Sequence, residues 1–266
     1  MSFNAGYYKQ EGGSMNIVMI GSGNVAAVLG RKLKAAGHTI VQLYSRNASA
    51  ASELAYELDS ESTNYKSMIQ KNADLYIIAV DDRSIDDVAD DLRVPGKIVV
   101  HTAASVPMDI LKSVSEHYGV LYPLQSLSKD IGTITEIPLF VDGNDDYTKG
   151  RLQSLAASIS KEQVGVAADD DRAKLHVAAV VVNNFTNHLY QLAEEYCRKE
   201  GLDFKLLQPL IEETALRLRD HSPAQSLTGP AIRHDKQTIE KHLEILHTHP
   251  KLRNIYLMMT ESIQQP

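Results

Sequence analysis

Asn16-Ile17-Val18-Met19-Ile20, followed at once by Gly21-Ser22-Gly23-Asn24-Val25-Ala26, decides the fold. A short apolar run leads into a glycine turn, and the turn opens a helix. Gly21 permits the tight turn, Gly23 lets the backbone approach a pyrophosphate, and Ala26 leaves room for the helix to pack on the strand. The N–H groups of the first helical turn have no partner within the helix and face an anion. A second apolar run, His38 to Tyr44, completes a βαβ unit and ends in Ser45-Arg46-Asn47. NAD-binding chains usually carry a carboxylate there for the ribose diol. A carboxylate repels a 2′-phosphate, whereas Arg46 pairs with one. The stretch therefore predicts NADP(H) over Gly21, Ser22, Gly23, Asn24, Val25 and Ala26, with Ser45 and Arg46 at the phosphate. The competing reading is a domain of the same shape with another ligand or none.

Working outward, Ser49 to Leu58 and Lys66 to Gln70 read as helices. Ala73 to Val80 is apolar enough for a strand buried on both faces. Asp81 to Ser84 turns into a helix over Ile85 to Asp91. Further strands are expected at Lys97 to His101, Gly119 to Gln125 and Ile137 to Val141, the last at a sheet edge because of Pro138. Strands alternating with helices make an α/β, doubly wound sheet of the Rossmann type. Ligands of such sheets lie outside the carboxyl ends of the strands, so Ala79, Val80 and Asp81 are expected beside the cofactor, with His101 and Thr102 toward its nicotinamide end. The favoured reading of His101 itself is a strand-capping histidine bonded to backbone, with a substrate or cofactor contact as the alternative.

Gly21 to Ala26, Tyr44-Ser45-Arg46, the Asp74 to Val80 strand and His101-Thr102-Ala103 together resemble the two-domain reductases that include pyrroline-5-carboxylate reductase, F420-dependent NADP oxidoreductase and ketopantoate reductase. Residues 15–266 are similar to a narrower family of NADP oxidoreductases whose second half is a domain of unknown function (DUF2520). The stretch Leu227-Thr228-Gly229-Pro230-Ala231-Ile232-Arg233 points to it. The resemblance implies a Rossmann domain followed by an all-helical domain like the C-terminal one of 6-phosphogluconate dehydrogenase. It implies NADP(H) as cofactor but names no substrate. The family commonly has a glycine between the arginine and aspartate of the last motif, where this chain has His234.

Domain boundaries are expected at 1–14 for a polar, flexible tail, 15–165 for the cofactor domain and 166–266 for a helical substrate and dimerisation domain. In the latter, Asp169 begins a helix expected to run to about Glu200 with Gly201 closing it. Ala173 to Phe185 is apolar nearly all round, which predicts a helix at the centre of its domain or of a homodimer. His176, Asn183, Asn187 and Tyr190 follow at spacings that put them on one face. They form either a hydrogen-bonded seam or a substrate-facing stripe at the cleft between domains. Hydroxyacid dehydrogenases related to this resemblance use a lysine four residues before an asparagine on the equivalent helix. Ala179 stands four before Asn183 here, so His176 is the candidate acid and Asn183 the anchor. Arg233, ahead of a helix running to about Leu246, either clamps an anionic substrate group or pairs with Asp235.

Over 266 residues, 43% of them hydrophobic, two ordinary cores are possible. The net charge of −7 argues against nucleic acid. No apolar run reaches the ~20 residues that span a bilayer, and the first residues lack the regions of a secretion signal. Cys197 has no partner for a disulfide and suits a cytoplasmic protein. His242, His247 and His249 are not spaced as metal ligands, so no metal is expected. The reading is an oxidoreductase moving hydride to or from a C=N or C=O bond of a small, anionic molecule. Its rival is a nucleotide-binding regulator that senses NADP(H) without turnover, and coenzyme F420 as hydride donor is a variant of the first.

Overall fold

The computed structural model describes residues 13–130, 136–160 and 163–265. Most of the N-terminal tail, residues 1–12, lies outside them. The chain divides into two compact units, Met1–Val181 and Val182–Pro266.

In the first unit, β1 (Asn16–Ile20), β2 (Thr39–Tyr44), β3 (Glu61–Thr63), β4 (Leu75–Ile78), β5 (Ile98–His101), β6 (His117–Pro123), β7 (Leu139–Gly143) and β8 (Val164–Val166) form one sheet in the order β3-β2-β1-β4-β5-β6-β7-β8. The order reverses between β1 and β4, the switch point at which such sheets open a crevice for a ligand. All neighbours pair parallel except β6 with β7. Residues of β4 are buried on both faces, which is why that strand reads as an unbroken apolar run. Its alternate side chains enter two cores: Leu75 and Ile77 join Met19, Leu29 and Leu54 on one side, and Tyr76 and Ile78 join Val18, Ile85 and Leu111 on the other.

Helices α1 (Asn24–Ala35), α2 (Ala48–Leu58), α3 (Ile85–Asp91), α4 (Asp146–Ile159) and α5 (Asp169–Ala179) complete this unit. The expected elements through β7 are present within a few residues of their expected ends, and β3, α4 and β8 add to them. One expectation is corrected: Pro138 does not mark a sheet edge. It precedes β7, its carbonyl accepts from the Leu124 N–H at 2.8 Å, and β8 lies outside β7 as the edge.

The long helix expected from Asp169 to Glu200 is also corrected. α5 ends at Ala179, a π-helical turn spans Val180–Phe185, and α6 (Thr186–Lys199) follows. The wider turn interrupts the regular α-helical spacing from which the shared face of His176, Asn183, Asn187 and Tyr190 is expected. The apolar segment is not at the centre of either unit: Val182 is 72% and Phe185 59% exposed.

The second unit holds α6, α7 (Gln208–Leu216), α8 (Pro223–Ser226), α9 (Lys236–Ile245) and α10 (Pro250–Gln264). Ser222 caps α8 through a reciprocal bond with Gln225, and Asp235 caps α9 by accepting from the Thr238 N–H at 3.1 Å. Arg233 therefore sits just ahead of α9, as expected, and Pro230 lies in the same preceding turn. His234 adopts a left-handed φ of 52°, which explains why a glycine suits that position. Few apolar side chains of this unit are buried, among them Leu192, Cys197, Ile239 and Leu246, while Leu206, Leu210, Met258 and Phe185 face outward.

Candidate functional site

Backbone geometry shapes the site first. Gly21 has φ of +122°, donates its N–H to the Tyr44 carbonyl at 2.8 Å, and lies so close to β4 that a Cβ would fall 2.1 Å from the Ala79 carbonyl oxygen. Only glycine fits. At Gly23, by contrast, a Cβ would meet nothing within 4 Å, so this residue borders open space. Gly23 is the N-cap of α1, and neither a capping side chain nor an acidic residue occupies the first turn. The N–H groups there are left to an outside acceptor, and the helix dipole favours an anion.

A cleft of about 430 Å³ opens at this corner. Its walls include Gly21, Ser22, Gly23, Asn24 and Val25 from the first turn, Tyr44, Ser45 and Arg46 from the end of β2, and Ala79, Val80 and Asp81 from the end of β4. Ala26 is fully buried beneath it, packing α1 against the sheet. The structure thus gathers eleven of the thirteen expected cofactor residues around one cleft, ten on its walls and Ala26 below. Hydrogen bonds knit the corner together. Ser22 Oγ donates to Ser45 Oγ at 2.8 Å, Ser45 Oγ accepts from the Asn47 N–H at 3.3 Å, and Asn24 Oδ1 accepts from the Lys129 N–H at 3.1 Å. Arg46 is exposed, with Nη2 donating to Ser84 Oγ at 3.2 Å.

His101 and Thr102 are not on these walls. His101 is fully buried at the end of β5, where Nδ1 accepts from the Ala103 N–H at 3.2 Å. Burial, then the nearby Arg172 guanidinium, push its pKa down to about 4. It is a neutral imidazole that holds the strand end, as in the strand-capping reading of the sequence. The Thr102 N–H extends the ladder to β4 by donating to the Ile78 carbonyl at 3.2 Å.

Beyond these strand ends lies a group the sequence reading missed. Arg172 of α5 is 1% exposed; its guanidinium donates to the carbonyls of Ala103, Ala104 and Val106 and pairs with Asp169 at 2.7 Å. It pins α5 to the loop after β5. One turn further along α5, His176 Nδ1 lies 3.1 Å from the hydroxyl of Tyr122 on β6, the rings meeting edge-on. Burial raises the Tyr122 pKa, Arg172 opposes, and Asp82 adds to the rise, which places the phenol within the electrostatic reach of the turn after β4. Tyr122 stands at the carboxyl end of its strand and was open to the same rule that found Asp81. Arg172 carries no such signal beyond its spacing from Asp169.

Asn183 lies in the π-helical turn and Arg233 in the turn before α9, both exposed in the second unit. Arg233 forms no ion pair with Asp235, whose carboxylate is taken by Thr238; that bond is the main cause holding its pKa below the usual range.

Residues 16–105 match the family model of coenzyme F420-dependent NADP oxidoreductases, and residues 137–263 match DUF2520, a domain of unknown function. A solved Bacteroides fragilis protein assigned as an NADP oxidoreductase is 36% identical, covers 95% of this chain and 99% of its own length, and superposes with a TM-score of 0.88. The chain belongs to this DUF2520-type NADP oxidoreductase family. More distant relatives share the fold of the family. Pyrroline-5-carboxylate reductase of Streptococcus pyogenes is 15% identical over 94% of this chain and 98% of its own, with a TM-score of 0.67. An imine reductase of Myxococcus stipitatus, solved with NADP⁺, is 17% identical over 94% and 91%, with a TM-score of 0.60. No protein of curated function matches the sequence. Within this family the cleft at Gly21 to Ala26 coincides with the matched oxidoreductase segment.

Proposed function

We propose that this DUF2520-type oxidoreductase binds NADP(H) in the cleft and uses it to reduce a C=N or C=O bond of a small, anionic molecule. The observation that carries the reading is the corner itself: an uncapped helix N-terminus facing open space at Gly23, with Arg46 and two serine hydroxyls where an NAD site would carry an acid. The pyrophosphate is assigned to the α1 N–H groups and the 2′-phosphate to Arg46. Bound NADPH supplies the hydride. The residues of the chain hold it, exclude water and deliver the proton that the substrate nitrogen or oxygen takes up.

His176 is assigned that proton. With Tyr122 donating to Nδ1, Nε2 is the ring atom left to exchange a proton with a substrate. Arg172 and His101 position this pair through the loop after β5. Asn183 and Arg233 are assigned to the substrate heteroatom and its anionic group, roles supported by their residue types and exposure. The Streptococcus and Myxococcus relatives act, by name, on imines, which favours C=N as the reducible bond. We further propose a homodimer, on the exposure of Val182 and Phe185 in the π-helical turn, Leu210 and Leu216 in α7, and Met258 and Met259 in α10. A cytoplasmic enzyme fits the single buried Cys197; no helix among the described residues is long and apolar enough to cross a membrane.

The test is NADPH oxidation by the purified protein across a panel of cyclic imines, α-keto acids and aldehydes. Substrate-dependent turnover that falls with His176→Ala supports the reading. Tight NADPH binding with no turnover on any of them favours the regulator.

A further inference from the structure

The short strand β3 sends the chain back past the cofactor corner. Thr63 pairs with Tyr44 in register, and its carbonyl accepts from the Ser45 N–H at 3.2 Å. Three residues later comes Lys66, which lines the same cleft as Ser45, Arg46 and Ser84. Both cations lean on α3. Arg46 bonds Ser84, directly before the helix, while Lys66 Nζ donates to the Asp87 carbonyl at 3.0 Å and pairs with Asp91 at 2.5 Å. Ser84 and Asp87 are three residues apart, about 4.5 Å along a helix axis. Two positive groups and two serine hydroxyls thus border one end of the cleft.

We propose that Lys66 is the second cation of the 2′-phosphate site, an inference that rests on the NADP(H) reading above. Without cofactor the ammonium is held by Asp91. When the phosphate arrives, Lys66 exchanges that carboxylate for it. Asp91 is 59% exposed, so its charge returns to water, and an exposed ion pair of this kind is weak enough to be released. The flexible four-carbon stem of lysine permits the swing, and a lysine binds phosphate as a point charge.

The experiment measures dissociation constants of NADPH, NADH and adenosine 2′,5′-bisphosphate for wild type, Lys66→Ala, Lys66→Arg, Asp91→Asn and Arg46→Ala. Lys66→Ala is expected to weaken NADPH and the bisphosphate about tenfold and to leave NADH unchanged. Lys66→Arg should keep most of the preference, and Asp91→Asn should tighten NADPH. If Lys66→Ala keeps the wild-type preference, or weakens both dinucleotides equally by loosening α3, the assignment is overturned while Arg46→Ala still reports on the cofactor reading. If Arg46→Ala also keeps the preference, or wild type binds neither dinucleotide, both fall.

Discussion

The Tyr122 hydroxyl lies 3.1 Å from Nδ1 of His176, joining the carboxyl end of β6 to α5. The contact holds the ring orientation, so under the proposed proton-transfer role it bears on turnover more than on cofactor binding. Removing His176 with alanine is expected to lower kcat by about 10²- to 10⁴-fold with NADPH affinity kept. Tyr122→Phe, which frees the ring without removing it, should produce a smaller loss of about tenfold on the same scale. Steady-state kinetics with cofactor titrations check both; a His176→Ala variant of full activity would return that residue to a packing role.

His101 gives a pH dependence of stability. Its folded pKa, about 4, lies below its ordinary value of 6.5, so between these values the unfolded chain binds the proton and the folded chain does not. Its contribution is therefore complete above pH 6.5 and is lost as the pH falls toward 4, by about 3 kcal/mol. Urea unfolding at several pH values should show this loss reduced in His101→Gln. An unchanged pH profile in that variant would contradict a buried neutral imidazole.

Arg172 is expected to be the costliest polar side chain to truncate. Arg172→Ala leaves three loop carbonyls without their guanidinium donor and removes the ion pair of Asp169. A loss of about 1–3 kcal/mol is expected, chiefly from the carbonyls left without a donor, because Asp169 is 37% exposed and keeps the Met108 N–H. Denaturant titration measures it, and a loss below about 1 kcal/mol would show that water replaces the guanidinium at little cost.

His234 offers the opposite case. A left-handed φ of 52° strains an ordinary residue, and its backbone N–H, bonded to the Ala231 carbonyl at 3.1 Å, survives substitution. His234→Gly should stabilise the protein by about 1 kcal/mol, since the relief of strain outweighs the added chain entropy. Thermal unfolding decides it; a lowered Tm would mean that the imidazole contributes contacts beyond its backbone role.

Much of the first unit was legible because parallel strands buried on both faces are continuous apolar runs, as β1 and β4 are. β3, Glu61-Ser62-Thr63, was not, being a three-residue edge strand with no apolar pattern. With it went Lys66, whose place in the cleft depends on that strand turning back along β2. The π-helical turn was equally hidden: Val180-Val181-Val182-Asn183-Asn184-Phe185 has the composition of any apolar helix, and only the backbone shows the wider turn. Pro138 misled because a proline just before a strand satisfies the same rule as one at an edge. His234 was flagged by the family's glycine, and the left-handed backbone supplies the reason.

The most direct test of the cofactor assignment is titration of the purified protein with NADPH and, separately, NADH, followed by nicotinamide fluorescence, which a chain without tryptophan leaves clear. One charge-assisted bond from Arg46 to the 2′-phosphate corresponds to a preference for NADPH of about 10- to 150-fold, and Arg46→Ala should erase it. Equal affinities for the two dinucleotides, or binding of neither, would contradict the assignment of this cleft to NADP(H).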